Sequence, residues 1–391
     1  MTISLDDCRV LIVDDNEFNR KSLSLLLRRS RITKLEFATD GVEGLAKVDS
    51  FRPDLVLLDV AMPNMDGLEM CRRLRADSRH AELPILFQTA LDSDEEQVAC
   101  FQAGGNDFIS KPIKPGECLA RVRHQLERRK LFNDLSTFRE RVQKELQHAH
   151  AMQLSLLPER RSLAQSGERY GLDIFSHFET SSELGGDLWS VFEIDEDRVG
   201  FLIVDFAGHG ITAAINTFRL HTLFERIPAR EHTPGKWLEL LNASLKDVLP
   251  TGQFSTAFYC VLDKRTDILT FAGAGAPNPI LGHDGELELL DSSGLLLGIS
   301  RRATYREQQV KLPPGGFLLL YSDALIECRD TDGVPFGQDA VLALVSEASM
   351  PETIDPVQTL LEPFLARVPR PLRDDLTLIW IRRRLCSDDD G

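Results

Sequence analysis

Between residues 8 and 118 short apolar runs alternate with amphipathic stretches, an order that few folds accept. The runs fall at 10–13, 35–38, 55–58, 85–88 and 108–109, and between them lie stretches such as SLSLLLRR, GVEGLAKV, MDGLEMCRRL and SDEEQVACFQAG. Strand and helix alternating this regularly predict a doubly wound, five-stranded parallel sheet covered by helices on both faces. Ligands of such sheets bind beyond the carboxyl ends of the strands. Polar residues stand at those ends: Asp14 and Asp15 close the first run, Asp59 the third, Thr89 the fourth, and Lys111 follows the fifth. Taken singly, each reads as a strand terminus, a helix cap or a turn residue. Taken together at strand ends, they describe one site.

From about residue 170 the pattern changes. Extended runs at 172–178, 188–194, 199–204, 256–262, 268–272, 317–321 and 376–381 follow at hairpin spacing, with helical stretches around 211–226, 235–248 and 355–367. This predicts antiparallel sheets packed between helix layers, an α-β-β-α sandwich. Asp187, Asp205, Asp323 and Asp374 stand at the margins of these runs. Two carboxylates about 4 Å apart repel by roughly 4 kcal/mol at an effective dielectric near 20, so a convergence of such groups calls for protons or divalent cations.

The segment joining the two patterns holds no glycine after Gly116 and no proline before Pro158, and is rich in strong helix formers. One or two long helices are expected there. Leu135, Val142, Ala149 and Leu156 recur at heptad spacing with Phe138 and Met152 as companions, whereas Leu119, Val122 and Leu126 keep a different register. Glu145 falls on the seam. Two readings stand side by side: a helix packed on its own catalytic domain, or a parallel coiled coil that makes a homodimer. The expected division is 1–122, 123–160 and 161–391.

A net charge of −16 opposes a nucleic-acid footprint, which needs clustered Lys and Arg to release counterions. Seven scattered cysteines without a Cys-x-x-Cys pair suit reduced thiols rather than a disulfide or zinc framework. The amino-terminal apolar run is too short and too acidic in its flanks for a signal peptide, and no segment approaches about 18 apolar residues. A soluble, cytoplasmic protein with no membrane partner is the expectation.

The motifs LIVDDN, LLDVAMPNMDG, QTA and DFISKPI, in that order, resemble those of a response-regulator receiver domain. The resemblance implies that Asp59 takes a phosphoryl group from a histidine kinase or phosphotransfer protein. It further implies that Asp14, Asp15, Asp59 and the Ala61 carbonyl hold Mg²⁺, and that Lys111 and Thr89 contact the phosphate while Phe108 turns inward. Fixed cations around the transferring phosphoryl oxygens account for these residue types.

Residues 150–384 carry QLSLLPE, ELGGD, VDFAGHG, STAFY, YSDALIE and RDDLTL, and resemble a protein phosphatase 2C-like enzyme of the PPM family, in the bacterial branch associated with sporulation and stress signalling. Matched residue by residue, Asp187, Asp205, Asp323 and Asp374 are metal-binding aspartates with the Phe206 carbonyl as a further ligand, and Asp375 is the neighbouring choice. Oxygen-only ligation favours two Mg²⁺ or Mn²⁺ ions. Asp205 is then central to catalysis, Gly208 and Gly210 allow a tight turn, and His209 would protonate the departing oxygen. A hydrogen-bonded turn residue is the alternative for His209. Three positions depart from the family pattern: Ser190, the AGAGAPNP segment without its histidine, and Ala324 in place of glycine.

Two functions follow. One is a metal-dependent phosphoserine/phosphothreonine protein phosphatase under receiver control, whose expected substrate is an anti-sigma-factor antagonist. The other is a catalytically weak or inactive phosphatase-like adaptor that binds or sequesters a regulatory protein under the same control.

Overall fold

The computed structural model describes residues 5–89, 94–208, 210–224, 226–350 and 352–385. It divides into two compact units, Met1–Val142 and Gln143–Gly391.

The first unit alternates β1 (Arg9–Val13), α1 (Glu17–Arg29), β2 (Lys34–Ala38), α2 (Gly41–Phe51), β3 (Leu55–Asp59), α3 (Gly67–Ala76), β4 (Ile85–Thr89), α4 (Asp94–Gln102), β5 (Asp107–Ser110) and α5 (Pro115–Leu154). The strands form one parallel sheet in the order β2-β1-β3-β4-β5. Successive strand residues point to opposite faces. Val10, Ile12, Leu55, Leu57, Leu86 and Ile109 therefore pack with Leu23 and Leu27 of α1 and with Cys118, Val122 and Leu126 of α5. Leu11, Val13, Val56, Leu58, Ile85 and Phe87 pack on the other side, with Met70, Cys71 and Leu74 of α3. Asn16, Asp40 and Asp66 cap α1, α2 and α3 by accepting from backbone N–H groups of the first turn.

α5 is one continuous helix of 40 residues, about 60 Å at 1.5 Å per residue. Its first turns belong to the core of the first unit. Leu131, Phe132, Leu135, Phe138 and Met152 are exposed along it, and so is Glu145. Leu156 and Leu157, just beyond its end, pack into the core of the second unit. The segment expected as a connector, 123–160, is thus the remainder of α5, a short turn and the first residue of α6 (Arg160–Tyr170).

The second unit continues with β6 (Leu172–Glu179), β7 (Asp187–Glu193), β8 (Arg198–Phe206), α7 (Ile211–Phe224), α8 (Pro234–Val248), β9 (Ser255–Asp263), β10 (Ile268–Ala274), β11 (Ile280–His283), β12 (Glu286–Leu289), β13 (Gln308–Lys311), β14 (Phe317–Tyr321), α9 (Ala324–Glu327), α10 (Gly337–Ala348), α11 (Pro356–Arg367) and β15 (Leu376–Arg383). Two antiparallel five-stranded sheets result, β13-β10-β9-β8-β7 and β12-β11-β14-β15-β6. The inner faces meet through Trp189, Phe201, Ile203, Phe258 and Cys260 from one sheet and Leu318, Leu320, Ile379 and Ile381 from the other. The outer face of the first sheet carries α7 and α8, with Trp237 buried among Leu238, Leu241 and Leu245. The second carries α10 and α11 through Val341, Val345, Leu360 and Phe364. Helix layer, sheet, sheet and helix layer are as the sequence pattern predicts. The four-residue strands β11, β12 and β13 fall outside that prediction: ELEL and QQVK are too short and polar to carry a strand signal above background, and ILGH, though apolar, is too short.

Candidate functional site

Two acidic sites lie one in each unit. In the first unit the period-two alternation that sends Ile12, Leu57 and Ile109 to the α1/α5 side sends Asp14, Asp59 and Lys111 to that side too, one strand step further on. The ladder extends past the strand ends to hold them, through Asp14 N–H to Ala38 O at 3.2 Å and Lys111 N–H to Thr89 O at 2.8 Å. Asp14, Asp15 and Asp59 each offer an oxygen within 4.8 Å of the others, tight enough for a single cation. Asp14 is buried, and Asn19 Nδ2 donates to both its oxygens, at 3.2 and 3.1 Å. Arg20 donates to the carbonyls of Asp14 and Asp15.

Lys111 Nζ lies 2.7 Å from Asp59 Oδ2 and 3.3 Å from Asp14 Oδ2. Burial raises the Asp59 carboxyl above its ordinary value, and the Lys111 ammonium opposes the shift. Gly67 has no room for a side chain: a Cβ there would collide with the Asp59 carbonyl. Ala61 lies in the bend between β3 and α3, its side chain exposed. Thr89 is buried on the opposite face of the sheet, and its hydroxyl donates to Glu96 Oε2 at 3.0 Å. Phe108 is half-buried, edge-on to Phe101 with ring centres 6.0 Å apart, and the Arg121 guanidinium sits 5.5 Å from its ring centre.

In the second unit the site is the polar end of the space between the sheets. Asp187 and Asp205 are direct cross-strand partners on β7 and β8. They lie on the same face as Trp189 and Ile203, so the apolar interior ends in two adjacent carboxylates. Asp323 follows β14 and precedes α9; Asp374 and Asp375 immediately precede β15. Asp187 is buried, and its pKa is pushed up first by that burial and then by the Asp205 charge. Burial, then the charges of Asp323 and Asp374, push Asp205 up to about 8. Asp323 rises to about 6 by burial and then by Asp374. Among the described residues no ion pair reaches Asp187, Asp205 or Asp323, and no three of these aspartates approach as closely as the receiver trio does.

Asp374 and Asp375 separate cleanly. Asp375 is buried with both oxygens engaged: Oδ1 accepts from Ser181 N–H at 2.7 Å and Ser181 Oγ at 3.0 Å, and Oδ2 from Gly186 N–H at 2.5 Å. Asp374 is exposed, and one of its oxygens accepts from Asp375 N–H at 2.9 Å. Gly186 brings the backbone close to the Phe206 carbonyl, which a Cβ at that position would meet at 2.9 Å. Gly208 and Gly210 take φ of 91° and 79°, the left-handed region glycine enters at no steric cost. His209 lies outside the described residues.

Sequence reasoning passed over two groups. Gln153, near the end of α5, is buried and grips Gly185 at both ends: its Nε2 donates to Gly185 O at 2.7 Å and its Oε1 accepts from Gly185 N–H at 3.1 Å. The QLSLLPE motif contains this residue, yet nothing in the motif says what the glutamine holds. Thr377, on β15, donates to Asp187 Oδ2.

Residues 10–123 match the family model for the response regulator receiver domain, and residues 195–384 match that for stage II sporulation protein E. The chain joins a response regulator receiver to a SpoIIE-type PPM domain. The response regulator MprA of Mycobacterium ulcerans (strain Agy99) is 48% identical over 126 residues, 32% of this chain and 53% of that protein. MprA of Mycobacterium tuberculosis (strain ATCC 25177 / H37Ra) is 47% identical over 122 residues, 31% and 52% of the two. The chain spans about half the length of these curated relatives. The SiaA-PP2C domain of Pseudomonas aeruginosa superposes with a TM-score of 0.57 at 22% identity, covering 63% of this chain and 98% of that one, a likeness of fold. Among the described residues no helix is long and apolar enough to cross a membrane.

Proposed function

We propose that the protein is a response regulator whose receiver, phosphorylated on Asp59 by a histidine kinase or phosphotransfer protein, controls a metal-dependent phosphoserine/phosphothreonine phosphatase. The division of labour is a receiver over 1–122, a connector over 123–160 and a phosphatase over 161–391. The observation that carries the reading is the cross-strand pair Asp187 and Asp205, both with raised pKa, with Asp323 and Asp374 close enough to add to the shift and, among the described residues, no ion pair to Asp187, Asp205 or Asp323. Such a set is stable only with protons or added cations, and its donors are all oxygen, as Mg²⁺ and Mn²⁺ require.

Two bound ions would supply Lewis acidity and lower the pKa of a water at the site. Asp187, Asp205, Asp323, Asp374 and the Phe206 carbonyl are the residues to hold them; Asp375 instead braces the Ser181–Gly186 loop. His209, assigned from its motif alone, would protonate the departing serine or threonine oxygen. In the receiver one Mg²⁺ would sit with Asp14, Asp15, Asp59 and the Ala61 carbonyl. There Lys111 holds its ammonium where charge arrives on Asp59, and Thr89 offers a hydroxyl from β4. Phe108, now edge-on to Phe101, would turn inward in response.

Control would run along α5, whose first turns are packed in the receiver core and whose last turns hold Gly185 two residues before Asp187. A change in how the receiver seats α5 bears on the placement of Asp187. The exposed Leu131, Phe132, Leu135 and Phe138 suit pairing of α5 between two copies. The substrate proposed from the motifs is a phosphorylated anti-sigma-factor antagonist, in a cytoplasmic stress-signalling pathway. The adaptor reading draws on Ala324 and the histidine missing from AGAGAPNP; the intact acidic quartet favours catalysis.

The test is the Mn²⁺-dependent phosphatase rate on p-nitrophenyl phosphate and on candidate phosphoproteins, with and without acetyl phosphate, in the wild type and Asp59→Ala. Hydrolysis that changes with acetyl phosphate in the wild type alone supports the reading. No hydrolysis under any of these conditions sinks the enzyme and leaves the adaptor.

A further inference from the structure

Thr377 lies one residue into β15, buried, with its backbone locked to the end of β14: its N–H donates to Ser322 Oγ at 2.9 Å and its carbonyl accepts from Ser322 N–H at 3.0 Å. Ser322 Oγ in turn donates to the Asp375 carbonyl at 2.8 Å. From this fixed base the Thr377 hydroxyl donates a 2.5 Å hydrogen bond to Asp187 Oδ2, joining residues 190 positions apart on opposite sheets. The other oxygen, Asp187 Oδ1, is buried without a hydrogen-bond partner. Buried polar atoms are nearly always paired, so an orphan beside an acidic cluster points to a ligand.

We propose that Thr377 is a positioning residue for the cation site: it saturates Asp187 Oδ2, fixes the rotation of the carboxylate, and leaves Oδ1 as the oxygen offered to a divalent ion. The proposal rests on the two-cation reading of the acidic quartet.

A threonine hydroxyl has one proton to give. Given to Oδ2, that proton favours the ionised carboxylate, the form a cation needs. Valine keeps the shape of threonine and removes the proton. Oδ2 is then orphaned as well, and the carboxylate is free to turn. Serine keeps the proton. Partners that orient metal ligands typically govern affinity by about 10–100-fold.

The test is Mn²⁺ binding to the full chain, followed by the electron paramagnetic resonance signal of free Mn²⁺, with Asp15→Ala added throughout to remove the receiver's claim on the ion. Thr377→Val should raise the dissociation constant about 10-fold or more, and Thr377→Ser should stay within about threefold of the parent. Thermal unfolding in EDTA checks that each variant is folded; if the valine variant is not, Thr377→Ala is compared with Thr377→Ser instead. A valine (or alanine) variant that binds Mn²⁺ as the parent does, while Asp187→Ala does not, overturns the positioning role and leaves the cation site standing. A parent that takes up no Mn²⁺ overturns both.

Discussion

The two acidic sites solve one electrostatic problem in different ways. The receiver brings its own cation: Lys111 reaches both Asp59 and Asp14, so the cluster is partly neutralised before any ion or phosphoryl group arrives. Among the described residues the sandwich brings none to Asp187, Asp205 or Asp323, and burial with mutual repulsion drives its pKa values up instead. The first site is therefore assembled and waiting. The second keeps its protons to higher pH than free carboxylates do, which ties its charge state to its folding stability.

The comparison can be broken most directly at Asp205. Asp205→Asn should abolish Mn²⁺-dependent phosphatase activity, by about three orders of magnitude or more, since several kcal/mol of transition-state stabilisation go with an ion site. The same change should raise the unfolding temperature in EDTA at pH 8, because it removes a buried charge that faces the like charges of Asp323 and Asp374. An active variant, or a metal-free one less stable than the wild type, would contradict the contrast drawn here. Lys111→Met tests the other side. Losing a fixed cation at the transferring group should slow Asp59 phosphorylation by acetyl phosphate about 100-fold, measured by mass spectrometry, and leave basal p-nitrophenyl phosphate hydrolysis unchanged.

Proton linkage sharpens the contrast further. Asp205 and Asp323 have folded pKa values of about 8 and about 6, above the ordinary carboxylate value of 3.8, so the folded state holds protons that the unfolded chain releases first. Their stabilising contribution is complete below pH 4 and is lost as pH rises through 6 and 8. In EDTA the second unit should therefore unfold at lower temperature as pH increases over that window, and saturating Mn²⁺ should flatten or reverse the trend. A calorimetric profile in EDTA that is flat between pH 5 and 8 would remove the distinction between the sites. The smallest expected effect is at Gln153. Gln153→Ala orphans the Gly185 N–H and carbonyl, at a cost of roughly 1–3 kcal/mol per buried group, read as a lower urea midpoint.

What the sequence disclosed divides along the same line. The receiver site was legible because strand alternation and strand ends alone bring Asp14, Asp59 and Lys111 to one side; a local rule applied to three strands suffices. The sandwich aspartates were legible as a set through their motifs, but how they are held was not. Thr377 and Asp187 meet across the sheets, and Asp375 and Gly186 likewise, and no periodicity foretells which of two adjacent aspartates turns inward. Gln153 was hidden for a similar reason, since a heptad pattern ranks apolar positions and passes over a buried glutamine. The one continuous α5 follows from the lack of glycine and proline between 117 and 157, whereas β12 and β13 were too polar, and the four-residue β11 too short, to announce themselves.

β15 comes last of the described strands yet lies between β14 and β6; Asp374 and Asp375 immediately precede it, and it contains Thr377. During synthesis on the ribosome, every other strand emerges before the residues that complete the acidic pocket. The carboxylates of β7 and β8 thus meet Asp374 and Thr377 only once the chain has been made as far as β15, late in its synthesis.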